Sequence, residues 1–115
     1  MLDHEPLTAK VFQALADPTR LAMVDRLSHG GASVSELAKP FGISLAGIVQ
    51  HIQVLEAAGL IVTQKSGRTR LCRINSAGLQ AAEAWIAQRR EFWGRKFDRL
   101  GAMLAEDGPD AGTER

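Results

Sequence analysis

The chain has 115 residues and a formal net charge of +1, a length that at roughly 100–200 residues per domain leaves room for one. Hydrophobic residues make up 45% and charged residues 23%, ordinary globular values that exclude disorder, a collagen repeat and a disulfide scaffold. There is no run of about 18 apolar residues to span a membrane, and the single cysteine, Cys72, forms neither an internal disulfide nor a thiolate metal cage by itself.

Apolar spacing predicts a first helix over residues 7–16, with Val11, Phe12 and Leu15 on one face. Asp17 is a good N-cap and Pro18 suits the first helical position, so a second helix is expected over 18–28, with Leu21, Val24 and Leu27 inward. His29-Gly30-Gly31 ends it. Ser33 and Glu36 form a capping-box pattern for a short third helix with Leu37 and Ala38 inward, which Pro40 and Gly42 stop. Ser44 caps a fourth helix reaching about residue 58, with Ile48, Ile52 and Leu55 at helical spacing and Gly59 as its left-handed end. Strand-like runs at 60–64 and 69–74 flank Lys65-Ser66-Gly67-Arg68, which predicts a hairpin. Ser76 is the expected cap of a last helix over 76–106, about 45 Å long. Its Trp85, Phe92, Trp93, Phe97 and Leu100 exceed what a monomer of this size needs. An acidic, frayed tail is expected over 107–115.

Charge is unevenly spread. Residues 37–82 carry Lys39, Lys65, Arg68, Arg70 and Arg73 against the single acid Glu56, a net of +4, which suggests a polyanion-binding face. Two short helices joined at residues 41–43, followed by a hairpin with a basic tip, make a mainly α fold with a small β-hairpin, a winged helix-turn-helix of order α-α-α-α-β-β-α. The helix-turn-helix spans 33–58 and the wing 60–75. The fourth helix presents Leu45, Ala46, Gly47, Val49, Gln50 and Gln53, small or amide-bearing side chains suited to base edges in a major groove. Ser44 offers a helix start to a phosphate, and Lys65, Arg68 and Arg70 offer charge to the backbone or minor groove of double-stranded DNA.

Residues 12–20, Phe-Gln-Ala-Leu-Ala-Asp-Pro-Thr-Arg, resemble the ALADPTR opening of the ArsR/SmtB family of bacterial transcriptional regulators. Residues 35–38 and 50–61 are similar to that family's helix-turn-helix with its HLxxLxxAGL ending, and Gly67-Arg68 to its wing. The resemblance covers residues 12–104. It implies a homodimer whose first and last helices pack across a two-fold axis, with Val11, Phe12, Leu15, Trp85, Phe92, Trp93, Phe97 and Leu100 at the interface. It further implies a cytoplasmic autorepressor acting on a near-palindromic operator.

This chain departs from the family pattern at Val49, where relatives often carry Ser, and at Gly47, where Ala is common. Ser33 and Ser35 stand where arsenic, cadmium or lead sensors carry Cys-x-Cys, and hydroxyls are poor ligands for soft metals. The last helix has no His for a nickel or zinc site. Asp3, His4 and Glu5 are the remaining candidates for such a metal, so the alternative reading is a nickel- or zinc-responsive regulator. The expectation is otherwise no cofactor. His51 is read as structural and Cys72 as a small core residue.

An enzyme is not expected, because the chain lacks a Gly-rich phosphate loop, a His-Glu-x-x-His motif and a nucleophile elbow. A protein-interaction module without DNA binding is the alternative from another class, and a salt-sensitive DNA affinity discriminates against it. The first six residues lack a basic region followed by an apolar run, which leads to the expectation of a cytosolic protein without a membrane partner.

Overall fold

The computed structural model describes residues 6–107. Its elements run α1 (Leu7–Leu15), α2 (Pro18–Leu27), β1 (Ala32–Ser33), α3 (Val34–Ala38), a 3-10 turn (Lys39–Phe41), α4 (Leu45–Ala57), β2 (Ile61–Ser66), β3 (Thr69–Ile74) and α5 (Ser76–Asp107). This is the mainly helical winged helix-turn-helix that the sequence predicts. Two compact units divide at Glu83 and Ala84. The first holds the helix-turn-helix, the wing and the opening two turns of α5; the second holds the remainder of α5. Among the described residues no helix is long and apolar enough to cross a membrane. The expected metal candidates Asp3, His4 and Glu5 lie outside the described residues. So does the expected acidic tail, except for Asp107, which closes α5.

Side-chain caps set most helix starts, because the first backbone donors of a helix have no partner inside it. Asp17 Oδ2 accepts from Arg20 N at 3.0 Å. Ser33 Oγ accepts from Glu36 N at 3.1 Å while Ser33 N donates back to Glu36 Oε1 at 2.9 Å, a complete capping box. These backbone donors hold the Asp17 and Glu36 carboxyls below their ordinary range, Asp17 through Arg20 N and Glu36 through Ser33 N. The last helix differs from expectation: Asn75 Oδ1 accepts from Ala77 N at 3.2 Å, so Asn75 caps it, and Ser76 Oγ accepts from Gln80 Nε2 instead.

The first unit's core contains Val11, Met23, Leu37, Ile48, Leu55, Leu60, Ile61 and Cys72, all fully buried. Two expectations change here. Leu21 is 53% exposed and Met23 takes the inward place, because α2 packs through Met23, Val24 and Leu27. Val11 is buried inside the single chain, so it is a core residue and is not available to an interface between chains.

The sheet has three strands in the order β1-β3-β2, all antiparallel. Sequence periodicity missed β1, whose two residues pair Ala32 with Cys72 and Ser33 with Leu71. The hairpin is also tighter than expected. Ser66 pairs with Thr69, so the turn is Gly67-Arg68 alone, with Gly67 at φ +63°. Such a left-handed position favours glycine.

At the end of α4, Gly59 adopts φ +70°. Leu60 N donates to Leu55 O at 3.0 Å and Gly59 N to Glu56 O at 2.9 Å, the paired bonds of a Schellman ending. The start of α5 rests directly on this corner, with Gly78 N donating to Gly59 O at 2.8 Å. A Cβ on Gly78 would lie 2.7 Å from the carbonyl oxygens of both Ala58 and Gly59. Both neighbours are backbone, so relief requires the helices to separate. Gly78→Ala is therefore expected to destabilise the protein by about 1–3 kcal/mol, the usual cost of overpacking. A shift of the urea midpoint at unchanged slope checks it.

Candidate nucleic-acid interface

The candidate recognition face is built on α4. Ser44 Oγ accepts from Gly47 N at 3.1 Å, which starts the helix and leaves the hydroxyl hydrogen to donate outward. Ile48, Ile52 and Leu55 are buried on one side. At about 100° per residue, Ala46, Gln50 and Gln53 fall on the opposite side and Leu45 and Val49 on the flank between, and all five are exposed. Gly47 differs from its expected place. It is half-buried, and a Cβ there would meet Ser44 Oγ and Ile43, so it belongs to the helix cap rather than to the outward row.

The wing supplies the charge. Opposed residues in an antiparallel pair share a sheet face. Ile61 with Ile74 and Thr63 with Cys72 lie on the core face, and the same face continues outward to Lys65 opposite Arg70. The face that begins apolar at the core therefore ends basic at the tip. Arg73 lies on the other face and donates to Gln64 Oε1 at 3.3 Å, away from this cluster. The middle segment's one acid, Glu56, accepts from Thr63 Oγ1 at 2.8 Å, which ties the end of α4 to β2.

Helix and wing meet across one groove of about 260 Å³. Leu45 and Val49 line it from α4, Arg68 and Arg70 from the wing, and Ser33, Val34, Ser35 and Thr69 complete it. The structure thus brings Leu45, Val49, Arg68 and Arg70 together. Gln50 and Gln53 stand on the same side of α4 outside the groove lining, and Lys65 is exposed opposite Arg70. Thr69 and the start of α3 were not foreseen as part of this surface. The two-residue turn implied by Gly67-Arg68 was the signal that would have placed Thr69 at the tip.

Behind the recognition face, Arg20 anchors α4. Its Nε donates to Ala14 O at 2.8 Å and its Nη2 to Gln13 O at 3.4 Å, serving carbonyls at the end of α1. Its Nη1 stands 3.3 Å from His51 Nδ1. A guanidinium only donates, so His51 Nδ1 is the acceptor. His51 is accordingly structural, as its half-buried position also indicates. Cys72 is fully buried, and desolvation together with the nearby Glu56 charge raises its thiol pKa, which disfavours the reactive thiolate. Among the described residues no three His, Cys, Asp or Glu side chains cluster as a metal site would require.

A family model described as a helix-turn-helix domain matches residues 15–64. The chain is 34% identical over 101 residues to the HTH-type transcriptional regulator Rv2034 of Mycobacterium tuberculosis, covering 88% of this chain and 92% of that protein. It is 32% identical to the transcriptional repressor SdpR of Bacillus subtilis, over 66% of this chain and 84% of that one. The crystal structure of an ArsR family transcriptional regulator superposes with a TM-score of 0.74 at 49% identity, covering 77% of this chain and 98% of the other.

The Arg20 anchor makes a prediction that separates charge from geometry. Arg20→Ala is expected to destabilise the fold by about 1.5–3 kcal/mol, the range for hydrogen bonds to a charged group. Arg20→Lys is expected to recover little of this, because an ammonium lacks the planar fork that reaches three acceptors at once. Urea melts of both variants check it, and full rescue by lysine would show that only the charge matters.

Proposed function

Because this chain belongs to the ArsR family of winged helix-turn-helix transcriptional regulators, we propose that it is a dimeric autorepressor that holds a near-palindromic operator in double-stranded DNA. The observation that carries the reading is the groove in which Leu45 and Val49 of α4 face Arg68 and Arg70 of the wing. An uncharged helix face fits base edges, and a basic rim fits the phosphates on either side. Lys65 opposite Arg70 is a like-charge pair that is unfavourable in the free protein and becomes favourable against a polyanion. The Ser44 end of α4 gives the backbone donors and dipole that suit a phosphate. Two such helices, one from each protomer, would enter successive major grooves about one helical turn apart. Occupancy of the operator then blocks polymerase. The bacterial cytoplasm, where the DNA lies, is the corresponding location.

The dimer reading rests on the apolar side chains of the second unit. Trp85, Phe92, Trp93 and Leu100 are each about half exposed, and Phe97 is 63% exposed. Phe92 and Trp93 meet edge to face at 5.7 Å between ring centroids, and Trp93 stands 5.9 Å from Phe97. So large an exposed aromatic surface is uncommon unless another protein surface covers it. In the first unit, Phe12 is exposed and Leu15 partly buried against the core, and both are proposed interface residues by the family resemblance. We take operator binding to need no metal, since the Ser33 oxygen at the family's thiolate position is occupied by the α3 cap.

Fluorescence anisotropy of the duplex upstream of the protein's own gene, titrated at several salt concentrations, tests this reading. The expected result is tight binding with a steep salt dependence, equal in chelator and in nickel or zinc. Arg68→Ala is expected to weaken binding to all sequences and lower the salt slope by about 1, the share of one lost phosphate contact. An unchanged slope would remove Arg68 from the interface. Trp93→Glu with Phe97→Glu is expected to give monomers in analytical ultracentrifugation and to abolish operator binding. A dimer that survives both charges would move the interface elsewhere.

A further inference from the structure

We infer that the recognition helix reads thymine methyl groups through Leu45 and Val49, and that its half-site is A·T-rich. This rests on the proposal that α4 enters the major groove, and it specifies what α4 finds there. Guanine is most often read by Arg or Lys, and cytosine by Asp or Glu. The α4 sequence, Leu-Ala-Gly-Ile-Val-Gln-His-Ile-Gln-Val-Leu-Glu-Ala, holds one charged residue, Glu56. That carboxylate lies near the end of the helix and accepts from Thr63. The outward row of α4 thus carries no group for G or C by either charged route. It carries methyls and amides. Gln50 and Gln53 match adenine, which offers one donor and one acceptor to a side-chain amide. Leu45, Ala46 and Val49 match the thymine methyl, the one apolar feature of the major groove.

The exposure of these residues points the same way. Leu45 is 55% and Val49 39% exposed, one helical turn apart and beside two arginines. Branched apolar side chains in such a polar setting gain by being covered, and a methyl covers them without demanding a hydrogen bond. The basic wing complements the same sequence class. A·T tracts narrow the minor groove and deepen its negative potential, which favours an inserted arginine such as Arg68 at the two-residue turn.

The test begins by selecting duplexes from a randomised pool on the full chain. Thymines in the recovered half-site are then replaced singly by deoxyuracil, which deletes the methyl and leaves the hydrogen-bonding edge intact. A·T-rich half-sites are expected. At the thymines under Leu45 and Val49, deoxyuracil should weaken binding about fourfold, the equivalent of one buried methyl. That penalty should vanish in Leu45→Ala and Val49→Ala, whose exposed positions leave the helical circular dichroism unchanged. Recovery of G·C-rich half-sites, a neutral deoxyuracil series, or a penalty that persists in both variants overturns the inference while leaving DNA binding intact. Recovery of no duplex at any salt overturns the inference and the DNA-binding reading together.

Discussion

The contact on which the first unit depends is a meeting of backbones at the corner after α4. Gly59 turns the chain, and Leu60 both closes the helix through its N–H to Leu55 O and accepts from Asn75 N at 2.9 Å. Those two residues therefore end α4, lead into the outgoing strand of the wing and receive the returning one. Gly78 then seats the next helix on the Gly59 carbonyl. The angle between helix and wing is fixed by main-chain hydrogen bonds, which hold their geometry better than long side chains do. This is why a groove only a few side chains wide can keep Leu45 and Arg68 in register.

Local chemistry made much of this fold legible in advance. Asp17, Ser33 with Glu36, Ser44 and Gly59 each do in the structure what their residue types suggest, because a cap is a short-range event that a few neighbouring atoms decide. Most of the larger differences are long-range. Strand β1 has two residues and no pattern of its own, and only its partner Cys72 on β3 defines it. Helical spacing alone pointed to Leu21, and the neighbours across the core chose Met23 instead. Gly78 reads as an unremarkable small residue until the corner beneath it is known. Asn75 displaced Ser76 as a cap by one position, a shift within the normal uncertainty of helix ends.

The candidate site was legible as a set of residues and less so as an arrangement. The exposed row on α4 followed from helical spacing, with Gly47 as the exception because its place is set by the cap. The wing's two faces followed only from the strand register. That register separates Arg73 from Lys65 and Arg70, which a count of charges along the chain had grouped together. Burial resolves Cys72 in the same way. A lone thiol has no fixed meaning in a sequence, and in the sheet it is a core atom shielded from solvent.

The opposite sides of α4 answer to different demands. Ile48, Ile52 and Leu55 hold the core, while Leu45, Ala46, Val49, Gln50 and Gln53 are exposed and lie outside it. Substitution along the outward row therefore leaves the folding equilibrium nearly untouched, since surface changes away from caps and cores usually fall within about 0.5 kcal/mol of neutral. A scaffold of this kind is evolvable in a specific sense. Under the proposed function, one copy after gene duplication can drift to a new operator through a handful of codons without passing through an unstable intermediate. The same independence would let an engineer retarget the protein by randomising five positions while leaving the remainder of the helix as it stands.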